Sequence, residues 1–395
     1  MKAVFAADKL KAAIAVVSRV IGGRGSSPIC RSIKITVDAD GKANLQATDM
    51  EIWATASLQA TDAQGEIDDI KPGCCCVNAD MFGQIVGKSS SDKIAIHVGE
   101  NSVDIWAGRG EYSVQSCDWQ SFPSAPAVAG DSYMLSALAV GHAIGVCEPS
   151  SSGAVSGKFA LGGILLEMDG KSLVVACSDG RRMTRHLVEY AGETHGKGFA
   201  ITLPKKAAKA LTTAISDAEK AKDADESRAM DPLDLRIRAN ESCCVLDVEN
   251  VSIVASLVQG RPLPWRPFEA DLKKCTETIA SVVSDLLGVV RQAEVCVDDE
   301  SKAAIFSFSK TGLTIETNIP MVGRAKVSMP TLFAEKKVDI LLNPAYVIAF
   351  LSKLEAELPI EISIQDPNKP VFFVQPTSGA LCAIMPLVTK AEKKE

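Results

Sequence analysis

Two acidic residues stand in matching local settings. Ala47-Thr48-Asp49-Met50-Glu51 and Cys177-Ser178-Asp179-Gly180-Arg181 each follow a run of alternating apolar residues. Carboxylates do general acid–base or metal chemistry when they converge on one substrate. Here 130 residues separate Asp49 from Asp179, and 139 separate Asp179 from Asn318 of a weaker third copy, Thr317-Asn318. A third of the 395-residue chain is close to that spacing, so the acids occupy one place in successive repeats. Ser or Thr followed by Asp or Asn at a strand end makes a side-chain-to-backbone turn, and that is the role expected of all three pairs. A hydrolase or metal enzyme using Asp49 or Asp179 stays as a rival reading.

The twelve cysteines and four histidines point to no metal or cofactor. No Cys-x-x-Cys occurs, and neighbours in Cys74-Cys75-Cys76 and Cys243-Cys244 point to opposite faces of a strand. His97, His142, His186 and His195 show no ligand spacing. Gly22-Gly23-Arg24-Gly25 lacks the strand–turn–helix setting of a phosphate loop. Ser150-Ser151-Ser152 has no histidine placed to activate it. No catalytic residue is assigned.

Basic residues recur on the predicted helices instead: Lys9, Lys11 and Arg19 on the first, Lys88 ending the second, and Lys205, Lys206 and Lys209 on the fourth. Arg291 and Lys353 lie on the fifth and sixth, Arg24 follows the first helix, and Lys158 opens the strand after the 149–157 loop. A shared basic surface of this kind binds phosphate backbone without reading sequence. The net charge of −7 does not exclude it, because acid concentrates at 217–231 and 298–300.

These residues need elements to hold them. Asp8 is the expected N-cap of a helix over 8–21, with Leu10, Ala13, Ile14, Val17 and Ile21 as its buried stripe. Further helices are expected at 78–88, 133–147, 203–216 (Pro204 in its first turn), 274–295 and 343–357, with strands between them. Residues 149–157 and the charged stretch 217–231 read as mobile loops. Each unit is then helix, strands, helix, strands: an α+β fold of three domains at 1–128, 129–264 and 265–390, with a tail at 391–395. No apolar run reaches membrane-span length, and Met1 to Asp8 has no signal-like stretch, so a cytosolic protein is expected. A repeat scaffold that binds partners without DNA is the second rival reading.

The pieces together resemble the bacterial DNA polymerase III β subunit, the sliding-clamp family. The matching segments are Gly22-Gly23-Arg24 with Pro28-Ile29, Ala47 to Glu51, and Gly108-Arg109 through Phe122-Pro123. They continue with Leu161-Gly162-Gly163, Ser178 to Arg182, Leu257 to Arg261, Asn343 with Tyr346, and Met385-Pro386-Leu387. The resemblance implies three repeated clamp domains, each with two helices packed on antiparallel sheet, and a head-to-tail dimeric ring. It implies double-stranded DNA, held without sequence preference, as one partner. The DNA polymerase III catalytic subunit, the clamp loader and other clamp-motif proteins would be the others.

By position, the resemblance lines a partner-peptide pocket with Leu161, Ser178, Gly180, Arg181, Arg182, Met183, Leu263, Phe268, Asn343, Tyr346, Ala383, Ile384, Met385, Pro386 and Leu387. Arg181 and Arg182 are expected at its rim, open to a peptide's carbonyls or acids. The ring contact would join an edge strand near Tyr112 to the region of Val295. Arg181 stands where the family commonly has histidine, Ser178 where it has threonine, and the linker reads Gly260-Arg261-Pro262-Leu263.

Overall fold

A computed structural model describes residues 1–23, 25–60, 70–151, 159–190, 198–225, 227–228, 230–331 and 337–387. Arg24, Lys158, residues 152–157 of the expected loop, Glu226 and Ala229 of the charged stretch, and the 391–395 tail lie outside the described residues.

One pattern runs six times: a strand, a helix, then three strands. It begins with β1 (Lys2–Ala6), α1 (Ala7–Val17), β2 (Ser32–Val37), β3 (Lys42–Thr48) and β4 (Ile52–Gln59). The second pass is β5 (Gly73–Asn78), α2 (Ala79–Lys88), β6 (Lys93–Val98), β7 (Ser102–Ala107) and β8 (Gly110–Gln115). The third is β9 (Ser132–Ser136), α3 (Ala137–Cys147), β10 (Gly163–Met168), β11 (Ser172–Ser178) and β12 (Arg182–Glu189). The fourth is β13 (Phe199–Pro204), α4 (Lys205–Asp223), β14 (Asp234–Ala239), β15 (Cys243–Val248) and β16 (Val251–Ser256). A short helix, α5 (Arg266–Leu272), precedes the fifth: β17 (Glu277–Val282), α6 (Val283–Glu294), β18 (Ala304–Ser309), β19 (Gly312–Ile319) and β20 (Gly323–Met329). The sixth is β21 (Val338–Leu342), α7 (Pro344–Leu351), β22 (Pro359–Ile364), β23 (Val371–Gln375) and β24 (Ala380–Ile384).

Two passes make one copy, and the leading strand of each pass joins the three strands of the other. The first copy thus holds β5-β2-β3-β4 and β1-β6-β7-β8. Antiparallel pairing then fuses sheets of successive copies: β4 with β16 (Ala54 opposite Ile253) and β12 with β24 (Thr184 opposite Cys382). The results are two eight-stranded sheets and two four-stranded ones among the described residues. The four-stranded sheets end at β8 and at β20, strands equivalent to those that fuse elsewhere.

The chain packs as two compact units: Met1–Gly141 with Ala191–Gly196 and Leu203–Leu257, and His142–Tyr190 with Lys197–Thr202 and Val258–Glu395. In the second unit a core cluster built on Leu286, Val290, Phe306, Phe308, Phe350 and Phe373 is fully shielded from water. Aliphatic and phenyl side chains dominate it, as expected from a chain that is 47% hydrophobic but only 5% aromatic.

Several expectations need correction. The helix spans at 133–147 and 274–295 each merge a strand, β9 or β17, with the helix behind it, and β1 likewise runs straight into α1. Strand and helix abut with no Gly or Pro between them, so an apolar run reads as one element. Ala6, not Asp8, is the N-cap residue of α1, and Asp8 sits in the first turn, where the helix dipole favours an acid. Ile21 lies beyond the helix. Pro204 precedes α4, which extends to Asp223 and so takes in half of the expected loop. Its end is held because buried Lys222 Nζ donates to the carbonyls of Asp231 and Pro232, the latter at 2.9 Å. Helix α7 stops at Leu351, so Lys353 is not helical. Asn78 and Asn343 do cap α2 and α7, accepting bonds of 3.0 Å from Met81 N and Ala345 N.

Candidate partner-binding site

The turns carrying Asp49 and Asp179 explain themselves locally. Asp179 Oδ1 accepts from Arg181 N at 2.9 Å and Arg182 N at 3.0 Å. Ser178 Oγ accepts from Gly180 N at 3.1 Å and donates to Arg182 O at 2.8 Å. Asp49 Oδ1 repeats this with Glu51 N at 3.1 Å and Ile52 N at 2.9 Å, and Thr48 Oγ1 accepts from Met50 N at 2.9 Å. The third copy departs from the expectation. Strand β19 pairs through Asn318 and Ile319, and Thr317 Oγ1 donates to Ala293 O at the end of α6 instead.

All fifteen proposed pocket residues belong to the second unit. The β12–β24 pairing sorts them by face. Met183 lies opposite Ala383, and Arg182 opposite Ile384, so the two pairs point to opposite sides of the sheet. On one side Met183, Ala383 and Leu263 join an apolar cluster with Trp265 and Phe372, against which Leu161 and Phe268 pack. On the other, Ile384 belongs to the core beneath α6 and α7, where Tyr346 is partly buried. The two sides meet past the strand end. Met385 N donates to Arg181 O at 2.9 Å, and Leu387 N donates to Leu341 O at 2.8 Å. Gly180, Arg181 and Met385 are exposed there, Met385 at 41%, an unusual position for so apolar a side chain.

Arg182 is not open to a ligand's acid, contrary to expectation. Its Nε bonds Asp179 Oδ2 at 3.1 Å, its terminal nitrogen donates to Pro149 O, and its guanidinium lies 4.3 Å from the Tyr346 ring centre. Ser178 and Asn343 are also committed, one to the turn and one to the cap of α7. These three hold the turn and the helix start in place, and Arg181 beside them is exposed.

Sequence reasoning missed the groups that fix the 263–268 segment. Trp265 Nε1 donates to Glu167 Oε2 at 2.8 Å, and Arg266 pairs with Glu167 Oε1 at 2.5 Å. Buried Arg185 pairs with Glu269 of α5 and donates to Gly379 O at 2.9 Å. Burial lowers the pKa of Arg185 from its ordinary value, and the Glu269 charge opposes that shift. The only sequence signal was Trp265-Arg266-Pro267-Phe268 itself, aromatic and cationic in a linker.

The basic residues are partly committed. Lys9, Arg19, Lys88, Lys209 and Arg291 are exposed, and Lys205 is half-buried. Lys11 Nζ donates to Ser89 O at 3.0 Å. Lys206 Nζ bonds the Asp49 carboxylate and donates to Ile21 O at 2.8 Å, so it ties α4 to the first turn within the first unit. Tyr112 is exposed on edge strand β8. Val295, 79% exposed, is the C-cap residue of α6, and β20 is an edge strand of the sheet in that copy. Among the described residues no cluster of His, Cys, Asp or Glu is arranged to hold a metal, and no helix is long and apolar enough to cross a membrane.

Residues 1–126 match the family model of the DNA polymerase III beta subunit, N-terminal domain. The beta sliding clamp of Vibrio cholerae is 22% identical over 358 residues, covering 89% of this chain and 90% of that protein. The beta sliding clamp of Synechococcus elongatus is 21% identical over 378 residues, 94% of each. Among solved structures, the DNA polymerase III beta subunit of Thermotoga maritima superposes with a TM-score of 0.85 at 17% identity, covering 98% of this chain and 99% of that one. The Pseudomonas aeruginosa sliding clamp bound to griselimycin gives a TM-score of 0.85 at 16% identity, covering 98% and 100%. The six-fold strand–helix pattern and the paired turns thus go with a chain whose first 126 residues match the DNA polymerase III beta subunit N-terminal domain and whose whole length is similar to bacterial beta sliding clamps.

Proposed function

We propose that the protein is a DNA polymerase processivity factor: two chains close head to tail into a ring on duplex DNA and tether polymerase, clamp loader and other partners by short peptides. It carries no catalytic step of its own, and its two candidate acids are spent on turns. The observation that carries the reading is the pair of open edges. Strands β4 and β16, and β12 and β24, complete eight-stranded sheets, whereas β8 and β20 end four-stranded ones. Pairing β8 of one chain with β20 of another completes the same eight-stranded pattern and covers two edges otherwise open to aggregation. Domain boundaries at 128 and 264 fit the element order, falling between β8 and β9 and between β16 and β17.

Lys9, Lys11, Arg24, Lys158, Lys205, Lys206 and Lys209 are the proposed phosphate contacts. The peptide site is the Met183–Leu263–Phe268–Ala383 surface continued over Arg181 and Met385 to Leu387. Tyr112→Asp puts a charge into the edge contact, which is costly when buried without a partner. Sedimentation at micromolar concentration is expected to give a dimer for the parent and a monomer for the variant. Loaded parent protein is expected to stay on circular DNA, to leave linear DNA, and to lose retention steeply as salt rises. An undisturbed dimer in the variant would move the contact elsewhere, and equal retention on both DNA forms would remove the ring.

A further inference from the structure

In the first unit, Cys76 of β5 and Cys117, just past β8, are neighbours across a backbone hydrogen bond. Ser32 Oγ, buried, gives its hydrogen to Pro28 O at 2.8 Å. A hydroxyl has one hydrogen and two lone pairs, so its oxygen is left to accept. Cys117 Sγ lies 3.4 Å from it. The backbones of the two cysteines are adjacent, because Cys117 N donates to Cys76 O at 2.7 Å. One N–H···O bond of that length keeps the two Cα atoms within roughly 6.5 Å of each other, inside the roughly 4.4–6.8 Å that a disulfide spans.

The other close thiols differ. Cys147, Cys177 and Cys382 are buried together and closed to solvent. Cys74 bonds Thr36 Oγ1 at 3.4 Å, two residues along the strand from Cys76. Cys117 is partly open and its close partner, Cys76, lies 41 residues away in the chain, whereas partly open Cys74 and Cys243 have close thiols only among their sequence neighbours.

We propose that Cys76 and Cys117 form a reversible disulfide that staples the two sheets of the first copy, β5 of one to the segment leaving β8 of the other. The oxidant is a small disulfide such as oxidised glutathione. The Cys117 thiolate attacks one of its sulfurs, forming a mixed disulfide and releasing one small thiolate. The Cys76 thiol loses its proton to solvent base and attacks Cys117 Sγ; that bond forms as the bond to the second small thiol breaks. Two protein thiols lose two electrons, and one small disulfide becomes two thiols, which carry the protons away. Burial pushes the Cys76 thiol up to about 12, so Cys117 meets the oxidant first and Cys76 resolves it.

The test uses the full chain, equilibrated against graded ratios of reduced and oxidised glutathione, acid-quenched, alkylated and digested without reductant. A cross-linked Cys76–Cys117 peptide is expected, with a loss of two hydrogens from the intact mass. Closing a loop of that length is expected to raise the melting temperature on the order of 5–10 °C, reversed by dithiothreitol. Cys117→Ser, which keeps a small polar side chain, is expected to abolish both changes. Glutathione remaining on Cys117 at every ratio, a bridge through Cys74, or twelve reduced thiols throughout would each overturn the proposal, and each is read on the unmutated chain.

Discussion

The β3–β4 and β11–β12 turns share one backbone and end in different places. Each Asp carboxylate gathers two amides, and each preceding hydroxyl gathers a third. Each turn also receives a neighbouring strand: Ser256 N donates to Glu51 O at 2.8 Å, as Met385 N does to Arg181 O at 2.9 Å. The side chains then diverge. In the first unit Lys206, from the start of α4, closes on Asp49. In the second, Asp179 holds Arg182, which lies over Tyr346 from the first turn of α7. The partner strand there runs out into exposed Met385. A repeat can thus copy its hydrogen bonds faithfully and still make a closed junction once and, once, an exposed apolar end, the proposed peptide site. The difference rests on whether a cation meets the turn's acid from outside or is held by it over an aromatic ring.

The largest effect should come from the ion pair that only the second region has. Glu269→Ala leaves Arg185 buried and unpaired, with its Nε already lacking a partner. Breaking a buried pair is expensive; with Glu269 a third exposed, a loss of about 2–4 kcal/mol is expected in urea unfolding. Peptide affinity is expected to fall as well, because α5 carries Phe268. Unchanged stability would mean that the pair does not hold the segment.

Next come the apolar anchors. Met385→Ala with Leu387→Ala is expected to cost about 1–3 kcal/mol of affinity for a Gln-Leu-x-Leu-Phe peptide by calorimetry, leaving dimer mass and DNA retention intact. Changing Met50, the exposed apolar residue of the first turn, to Ala should leave that affinity alone. If Met50→Ala weakened binding equally, the two junctions would not differ as argued.

Acid provides a third test. His186 on β12 has Ala56 as its counterpart on β4. Burial, then His142 5.4 Å away edge-on, then Arg185, hold the His186 pKa down near 4, and its Nε2 is buried without a partner. The unfolded chain takes up a proton near pH 6.5 and the folded one does not until about 4. Stability is therefore full above pH 6.5 and falls as pH drops through that window, by about 1–2 kcal/mol after allowance for relaxation. Urea midpoints against pH should show the fall, and His186→Asn should flatten it.

Much of this was legible in the sequence, for definable reasons. The Thr48-Asp49 and Ser178-Asp179 turns are local, and the repeat spacing exposed the three copies. The family resemblance named Met183, Leu263 and Ala383, which do share one apolar cluster. What stayed hidden was either unpunctuated or long-range. Strands β1, β9 and β17 abut helices without a breaking residue. The partners of Lys206, Lys222 and Arg185 depend on tertiary approach that no spacing reveals. Thr317-Asn318 looked like a third turn because the dipeptide fits, but β19 keeps pairing through it.

The smallest effect isolates the backbone both turns share. Met50 and Gly180 occupy the same turn position with φ of +79° and +86°, in the left-handed region that L side chains resist. A Cβ placed on Gly180 meets nothing within 4 Å, so Gly180→Met reports chiefly the conformational cost of the left-handed backbone. A loss of about 1 kcal/mol is expected in the second unit. The reverse change, Met50→Gly, relieves the same strain but gives the unfolded chain more freedom, so its gain should be smaller, about 0.5 kcal/mol. Met50 is also half-exposed, leaving little buried surface to lose. Equilibrium unfolding of both single variants and the double swap would show whether the changes add, as sites in separate units should. A Met50→Gly variant less stable than the parent would mean that the methionine packs usefully in the first turn, and that the two turns differ in contacts as well as in charge.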